Sequence, residues 1–471
     1  LADHDLAATG PRQSAVYAPG IGQPAIVMDR DLARFEEPVA HAQGVAASAQ
    51  MFGQIPSAPG IPIPQPPQPA SLTPQVVIGF PNPQPNPFAP SAQTQRNNEM
   101  IMREVQQHEQ RRLEQQQLLA EIERDMNPRA VKYEFPDQST VAGTVFYRQA
   151  FAEIGEMLEG KKPLNLKRAV FLTENAYLDN RMTYDWFAAD ISGNADIIKS
   201  YIEQNGYQFD NPTARKWGLQ QFLSDTVQLK DENGKVTFTH KPYTYDFEDP
   251  WGKQDWTKQF VTKLMGGGKG QCHSMPLLYL ILAEEIGVEA WLSYSPSHTY
   301  IKVDDGKGNM LNYETTNGYY TTDVFVQSSG YVKAEAVRSG IYMDTMSKKE
   351  VIAACLADMA KGYAIKYGFD NFVINCIEKS LEYSPNNVYA LQLKSDYQTY
   401  LFFYVIDQLG RPPVERLPEF PKAYELFLKM HEVYGQIDGL GFEEMPQEEY
   451  EKWLKSFETQ KGKQPKEIIR P

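Results

Sequence analysis

The run Gly266-Gly-Gly-Lys-Gly-Gln-Cys272 constrains this chain more than any other stretch, because it delivers one cysteine to the start of an apolar helix. Leu277, Leu278, Ile281, Leu282 and Ile286 recur at helical spacing. Pro276 fits only in a first turn, where its missing N–H costs little. Gly287 then predicts a left-handed cap. Cys272 is therefore expected at the helix N-terminus, where unpaired backbone N–H groups and the dipole favour a thiolate.

A thiolate nucleophile needs a base, and the next segment offers one. Val288 to Tyr294 reads as a strand, Ser295-Pro-Ser as a turn, and His298 to Val303 as a second strand. Asp304-Asp-Gly-Lys-Gly-Asn309 reads as a hairpin loop and Met310 to Thr315 as the return strand. A hairpin folded about Gly306 sets His298 directly opposite Glu314, with Cβ atoms about 5 Å apart. Nucleophile, base and orienting acid are then Cys272, His298 and Glu314, the arrangement of a hydrolase triad.

At these residues the chain resembles the transglutaminase-like superfamily, whose motif is Gly-x-Cys at a helix start, a His opening one strand and an acid on the next. Gly270-Gln271-Cys272 is similar to the Gly-Gln-Cys of animal transglutaminases. Ser274, Leu278-Tyr279 and Leu282-Ala283-Glu284 look more like bacterial members followed by tetratricopeptide-type helices. Ser297-His298-Thr299-Tyr300 and Asn312-Tyr313-Glu314-Thr315-Thr316 match the second and third blocks. The family's third member is usually Asp, and here it is Glu314. The resemblance spans roughly residues 165 to 330. It implies an α+β fold with a papain/transglutaminase-like core, a helical lobe packed on an antiparallel sheet, and catalytic residues Cys272, His298 and Glu314.

The flanks have a different character. Residues 1–96 hold 17 of the 33 prolines found in the chain, and from Pro38 to Gln95 there is no Asp, Glu, Lys or Arg. Runs such as Ile61-Pro-Ile-Pro-Gln-Pro-Pro-Gln-Pro69 favour polyproline II and cannot bury a core. An extended arm that docks on another protein is expected. Residues 97–126, rich in Glu, Gln and Arg with a thin apolar stripe, predict one long polar helix. Residues 127–345 form the expected transglutaminase-like domain. Its helices are predicted over Tyr147–Gly160, Leu164–Tyr177 and Met182–Glu203, with an Asn-Gly hairpin near Asn233. Trp251, Trp256 and Trp291 are candidates for lining a cleft near Cys272. Residues 346–471 read as a helical, tetratricopeptide-like region. Ser347 and Glu350 form a capping box, and a break is expected at Gly362.

Composition narrows the function classes. There are 46 Lys plus Arg against 60 Asp plus Glu in 471 residues, a net charge of −14, which argues against a nucleic-acid binder. No stretch approaches the ~20 apolar residues of a membrane helix. The three cysteines rule out a disulfide framework; Cys355 and Cys376 read as core residues, and a bridge between them stays open. No His or Cys stands at metal-ligand spacing, and His273 reads as a flank of the nucleophile. No cofactor is expected. The chain opens at Leu1 rather than Met, which leads us to expect a processed form, placed in the periplasm or at the cell surface.

Two functions follow. One is a cysteine acyl-transfer enzyme acting on a protein or peptide amide, by hydrolysis or cross-linking. The alternative is a non-catalytic scaffold subunit of a bacterial cell-envelope assembly. In both, protein partners are expected on residues 1–126 and on the C-terminal helices.

Overall fold

The structure, a computed structural model, describes residues 100, 103–115, 118–119, 130–329, 331–443, 445, 448–450 and 452. The proline-rich arm of residues 1–96 and both ends of the expected polar helix lie outside them. Residues 103–115 are helical and exposed throughout. Val105 and Leu119, which belong to the expected apolar stripe, are more than half exposed.

The described residues group into two compact units. One holds Glu134–Phe402 and the described residues from Glu425 onward; the other holds Phe403–Tyr424 and the described residues up to Tyr133. In the second unit Gln408 clamps the backbone of Lys132 from both sides, accepting from its N–H at 2.9 Å and donating to its carbonyl at 3.0 Å.

The first unit is a mixed α+β structure. Its helical part opens with α1 (Thr144–Leu158), α2 (Leu166–Tyr177), α3 (Tyr184–Gln204) and α4 (Pro212–Ser224). Polar side chains fix their starts. Asn165 accepts from the Arg168 N–H, Thr183 from Trp186, and Asn211 from Thr213 and Ala214 ahead of Pro212. Helix α4 is absent from the sequence expectation, although Asn211-Pro212 is the start signal for it.

Two short ladders follow. β1 (Val227–Lys230) pairs antiparallel with β2 (Val236–His240), as the Asn-Gly turn predicts. β3 (Thr244–Tyr245) pairs parallel with β4 (Lys269–Gly270), and α5 (Val261–Gly267) lies between them in sequence. Helix α6 (Ser274–Ile286) is buried at every position from Ser274 to Ala283 and again at Ile286. A helix apolar on all sides needs cover all round. α6 has it, with α3, α4 and α5 packed against it together with strands β5 (Trp291–Ser295) and β6 (His298–Asp304). Burying Leu277, Leu278, Ile281, Leu282 and Ile286 contributes about 10 kcal/mol at roughly 2 kcal/mol per side chain. Gly287 ends the helix at φ 69°. A Cβ there would lie 2.5 Å from the Arg215 guanidinium, which donates to the Ile286 carbonyl at 3.0 Å.

β5 and β6 continue with β7 (Met310–Glu314) and β8 (Tyr319–Thr321) into a four-stranded antiparallel meander. The Tyr279 and Tyr313 rings, 5.5 Å apart, join α6 to β7. Beyond the short helices α7 (Asp323–Ser329) and α8 (Ala334–Arg338), α9 (Lys348–Tyr367) starts with the expected Ser347/Glu350 capping box. It packs on α10 (Asn371–Tyr383) and back on α1 and α2. The expected break at Gly362 is absent. A Cβ there would sit 3.2 Å from Tyr177 and 3.3 Å from the Trp256 indole nitrogen, so this glycine serves close packing inside one continuous helix. The remaining helices are α11 (Val388–Gln408) and α12 (Pro421–Gly439). Cys355 on α9 and Cys376 on α10 are both buried and unbridged. Among the described residues no helix is long and apolar enough to cross a membrane.

Candidate active site

The loop that carries Cys272 is held by its own motif residues. Gly268, at φ 70°, ends α5 and leads into β4. Asp246 donates its N–H to the Gly270 carbonyl, so the parallel β3/β4 pair sets Tyr245 against Gly270. Gly270 has no room for a side chain: a Cβ would stand 2.7 Å from Ser274 Oγ and 2.8 Å from Leu264 Cδ1. Gln271 is fully buried and donates to the carbonyls of Asp246 and Asp249 at 3.0 and 2.8 Å. Its own N–H donates to Ser274 Oγ at 3.0 Å. The Gly-Gln pair thus fixes the backbone on which Cys272 sits. The Met275 N–H donates to the Gln271 carbonyl at 3.0 Å and His273 is already helical, so Cys272 stands in the first turn of the helix, as expected.

His298 opens β6 directly after a two-residue turn in which Ser297 takes φ 56° and Ser295 pairs with His298. The hairpin beyond it differs from the expectation. Ile301 pairs with Tyr313 and Asp304 with Met310, so the hairpin folds about Lys307, not Gly306. His298 and Glu314 are therefore diagonal neighbours rather than directly opposed. A register displaced by two positions keeps both side chains on one sheet face. Diagonal partners lie about 7–8 Å apart at the backbone, within reach of long side chains. The glutamate spans that gap: His298 Nε2 meets Glu314 Oε2 at 2.6 Å, with both side chains almost wholly buried.

Cys272 is a partly exposed residue whose thiol lies close enough to the same imidazole and to the Thr299 backbone N–H for both to act on it. Since Glu314 holds Nε2, Nδ1 is the nitrogen left to serve sulfur. Burial pushes the thiol up. The hydrogen bond and charge of His298, the charge of His273 and the Thr299 N–H outweigh it and hold the thiol below its ordinary range. Burial alone would lower His298, but the Glu314 carboxylate and the cysteine sulfur push it up to about 10. Together these shifts favour a thiolate–imidazolium pair. All three expected site residues thus meet at one place, where α6, β6 and β7 converge.

No family model, characterised protein or solved structure matches the chain. What the site can do rests on its own geometry, which includes residues the sequence did not point to. The hydroxyls of Tyr245 and Tyr450 are buried close enough to the thiol for its charge to act on them. Tyr450 is 1% exposed and packs its ring 4.4 Å from that of Trp251. Of the three expected cleft tryptophans, Trp251 thus reaches the site through Tyr450. Trp256 faces Gly362 of α9, and Trp291 lies four residues up β5 from the turn, opposite Lys302. His273 pairs with Asp358 of α9, Nε2 to Oδ2, at 3.2 Å. Glu174 of α2 is buried and accepts from the N–H groups of Val261 and Thr262 at 2.7 and 2.9 Å, capping α5. Burial pushes its carboxyl up to about 7. The sequence signal for β4 and α6 is local, whereas Glu174, Asp358 and Tyr450 lie 98, 86 and 178 positions from Cys272, with no spacing to betray them.

Proposed function

We propose that this chain is a cysteine acyl-transfer enzyme of the transglutaminase-like kind, acting on a protein or peptide amide. Its core would be papain/transglutaminase-like, followed by tetratricopeptide-like helices that, with the N-terminal segment, contact a protein partner. The observation that carries this reading is one imidazole held by Glu314 at 2.6 Å and lying close to the Cys272 thiol. Cys272 thiolate attacks the amide carbonyl carbon, forming the C–S bond and a tetrahedral oxyanion. Backbone N–H groups at the helix start, that of Cys272 included, stabilise the oxyanion. The His298 imidazolium gives its proton to the departing amine as the C–N bond breaks, leaving a thioester. Water or a second amine then attacks, His298 takes its proton, and the C–S bond breaks. Glu314 steadies the imidazolium in both halves.

The test is the pH profile of Cys272 alkylation by iodoacetamide, followed by mass spectrometry, in the full chain and in Tyr450→Ala. An inflection well below the ordinary thiol value of about 8.5 supports the proposal. Ordinary reactivity in both proteins overturns it. Tyr450, buried against the thiol, favours a second reading, a scaffold subunit that does not turn over. That reading requires the low-pH reactivity to be absent even when Tyr450 is removed.

A further inference from the structure

Two imidazole–carboxylate pairs border the Cys272 thiol. His298–Glu314 comes from the sheet. His273–Asp358 comes from the helices, with His273 next to the nucleophile in sequence and its side chain 29% exposed. We propose that His273, held by Asp358, is a second positioning residue of the acyl-transfer site: as an imidazolium it keeps a positive charge beside the Cys272 sulfur that does not depend on the proton His298 must give away. The inference rests on the acyl-transfer reading.

The argument begins with the place His273 occupies. It lies at the start of α6, and a cation at a helix N-terminus is disfavoured by the dipole. The Asp358 carboxylate, reaching in from α9, offsets that penalty and makes the cation tolerable where an isolated imidazole would stay neutral. Partial burial lowers His273, but Asp358, the Cys272 sulfur and Glu174 outweigh it and hold it above the usual histidine range.

The other groups facing this pair leave its charge in place. From α2, Glu174 ionises at about 7 and adds a negative charge of the same sign as Asp358. From α9, Cys355 is pushed well up by burial; so are Tyr294 on β5 and Tyr389 on α11, which stand near Asp358. These three stay neutral across pH 5–9.

The chemistry gains a division of labour. During acylation His298 passes its proton to the leaving amine and becomes neutral. If it were the only cation, the positive charge near sulfur would vanish at that step. His273 does not lie on the proton path, so its charge persists through the thioester and is still present when the thiolate leaves again.

The experiment is the iodoacetamide pH profile of Cys272 in the full chain, comparing wild type with His273→Gln, His273→Arg and Asp358→Asn. Removing the charge in His273→Gln is expected to move the thiol inflection up by about one pH unit, a roughly tenfold slower reaction on its acid side. His273→Arg, which keeps the charge, is expected to restore the wild-type inflection, whereas a residue with only a packing role gains nothing from arginine. Asp358→Asn leaves the imidazole in place without its carboxylate and is expected to shift the inflection the same way as His273→Gln. Glu174 and His273 act on each other, so the comparison is repeated with Glu174→Gln in every protein, which removes that titration. An unchanged inflection in His273→Gln, or one raised equally by glutamine and arginine, overturns the inference. Neither result touches the acyl-transfer reading, which fails only if the wild-type and Tyr450→Ala profiles are ordinary. Should one variant not fold, as judged by circular dichroism, the other two decide by the same criteria.

Discussion

Glu314 stands where the proposed transglutaminase-like reading would put an aspartate, and the hairpin register favours the longer side chain. His298 and Glu314 are diagonal across β6 and β7, and their 2.6 Å contact uses the full length of the glutamate. Glu314→Asp shortens the side chain by one C–C bond, about 1.5 Å. The contact opens to about 4 Å, beyond hydrogen-bonding range. Both groups stay buried but apart, and breaking a buried pair of this kind costs about 3 kcal/mol. At about 2 °C per kcal/mol for a unit of this size, the melting temperature falls by about 6 °C. The His298 imidazolium also loses its main support, so less of it is present at any given pH and the thiol climbs. We expect the alkylation inflection to rise by one to two units, which is about 10- to 100-fold slower at pH 6. Glu314→Gln separates reach from charge: it keeps the length, so most of the melting temperature returns, but the inflection still rises. Calorimetry and the iodoacetamide profile on the same preparations measure both. A Glu314→Asp protein that melts and reacts like wild type would show that the diagonal geometry does not matter.

Three further outcomes follow from the same contacts. Gly270→Ala drives a Cβ within 2.8 Å of Ser274 Oγ and Leu264 Cδ1, and is expected to cost about 1–3 kcal/mol by calorimetry and to slow alkylation of Cys272. Tyr450→Ala removes the ring that shields the thiol and is expected to speed alkylation several-fold at fixed pH; an unchanged rate means that Tyr450 covers nothing. Ser347→Ala removes the capping-box hydroxyl and is expected to cost about 1 kcal/mol with no effect on the alkylation profile, which makes it a control for stability alone.

The parts of the fold legible in the sequence are those set by local chemistry. Apolar spacing and Gly287 bound α6, Ser347 and Glu350 start α9, and the Asn-Gly dipeptide turns β1 into β2. The hairpin after His298 was legible in kind but not in register. Its loop is built by Asp305, whose carboxylate accepts from the N–H groups of Lys307 and Asn309 and from the Asn309 amide. Those bonds centre the turn on Lys307, and two nearby glycines gave no means of choosing between centres. The triad survived the error because a displacement of two leaves side chains on the same face. Gly362 misled for a related reason: a helical glycine signals a break or a close approach, and the two have the same sequence. Tyr450, Asp358 and Glu174 could not be read at all, since long-range packing alone brings them to the thiol, to His273 and to the start of α5.

The position of Cys272 also decides what makes it acidic. The sequence suggested the helix dipole. Cys272 does lie in the first turn, spanned by the bond from the Met275 N–H to the Gln271 carbonyl, and there the dipole is typically worth about 0.3–1 kcal/mol, less than one pH unit. Burial works in the other direction and is the largest influence on this thiol. The helix cannot overcome burial, so His298 must. His298→Ala should therefore do more than return the thiol to its ordinary value. It should carry the inflection above about 8.5, because burial then acts against only His273, the Thr299 N–H and the helix dipole. The alkylation profile of His298→Ala distinguishes the two sources. An inflection above the ordinary value assigns the acidity to the imidazole. One that stays below it returns the credit to the helix end, and the thiolate–imidazolium pair on which acyl transfer depends would lose its basis.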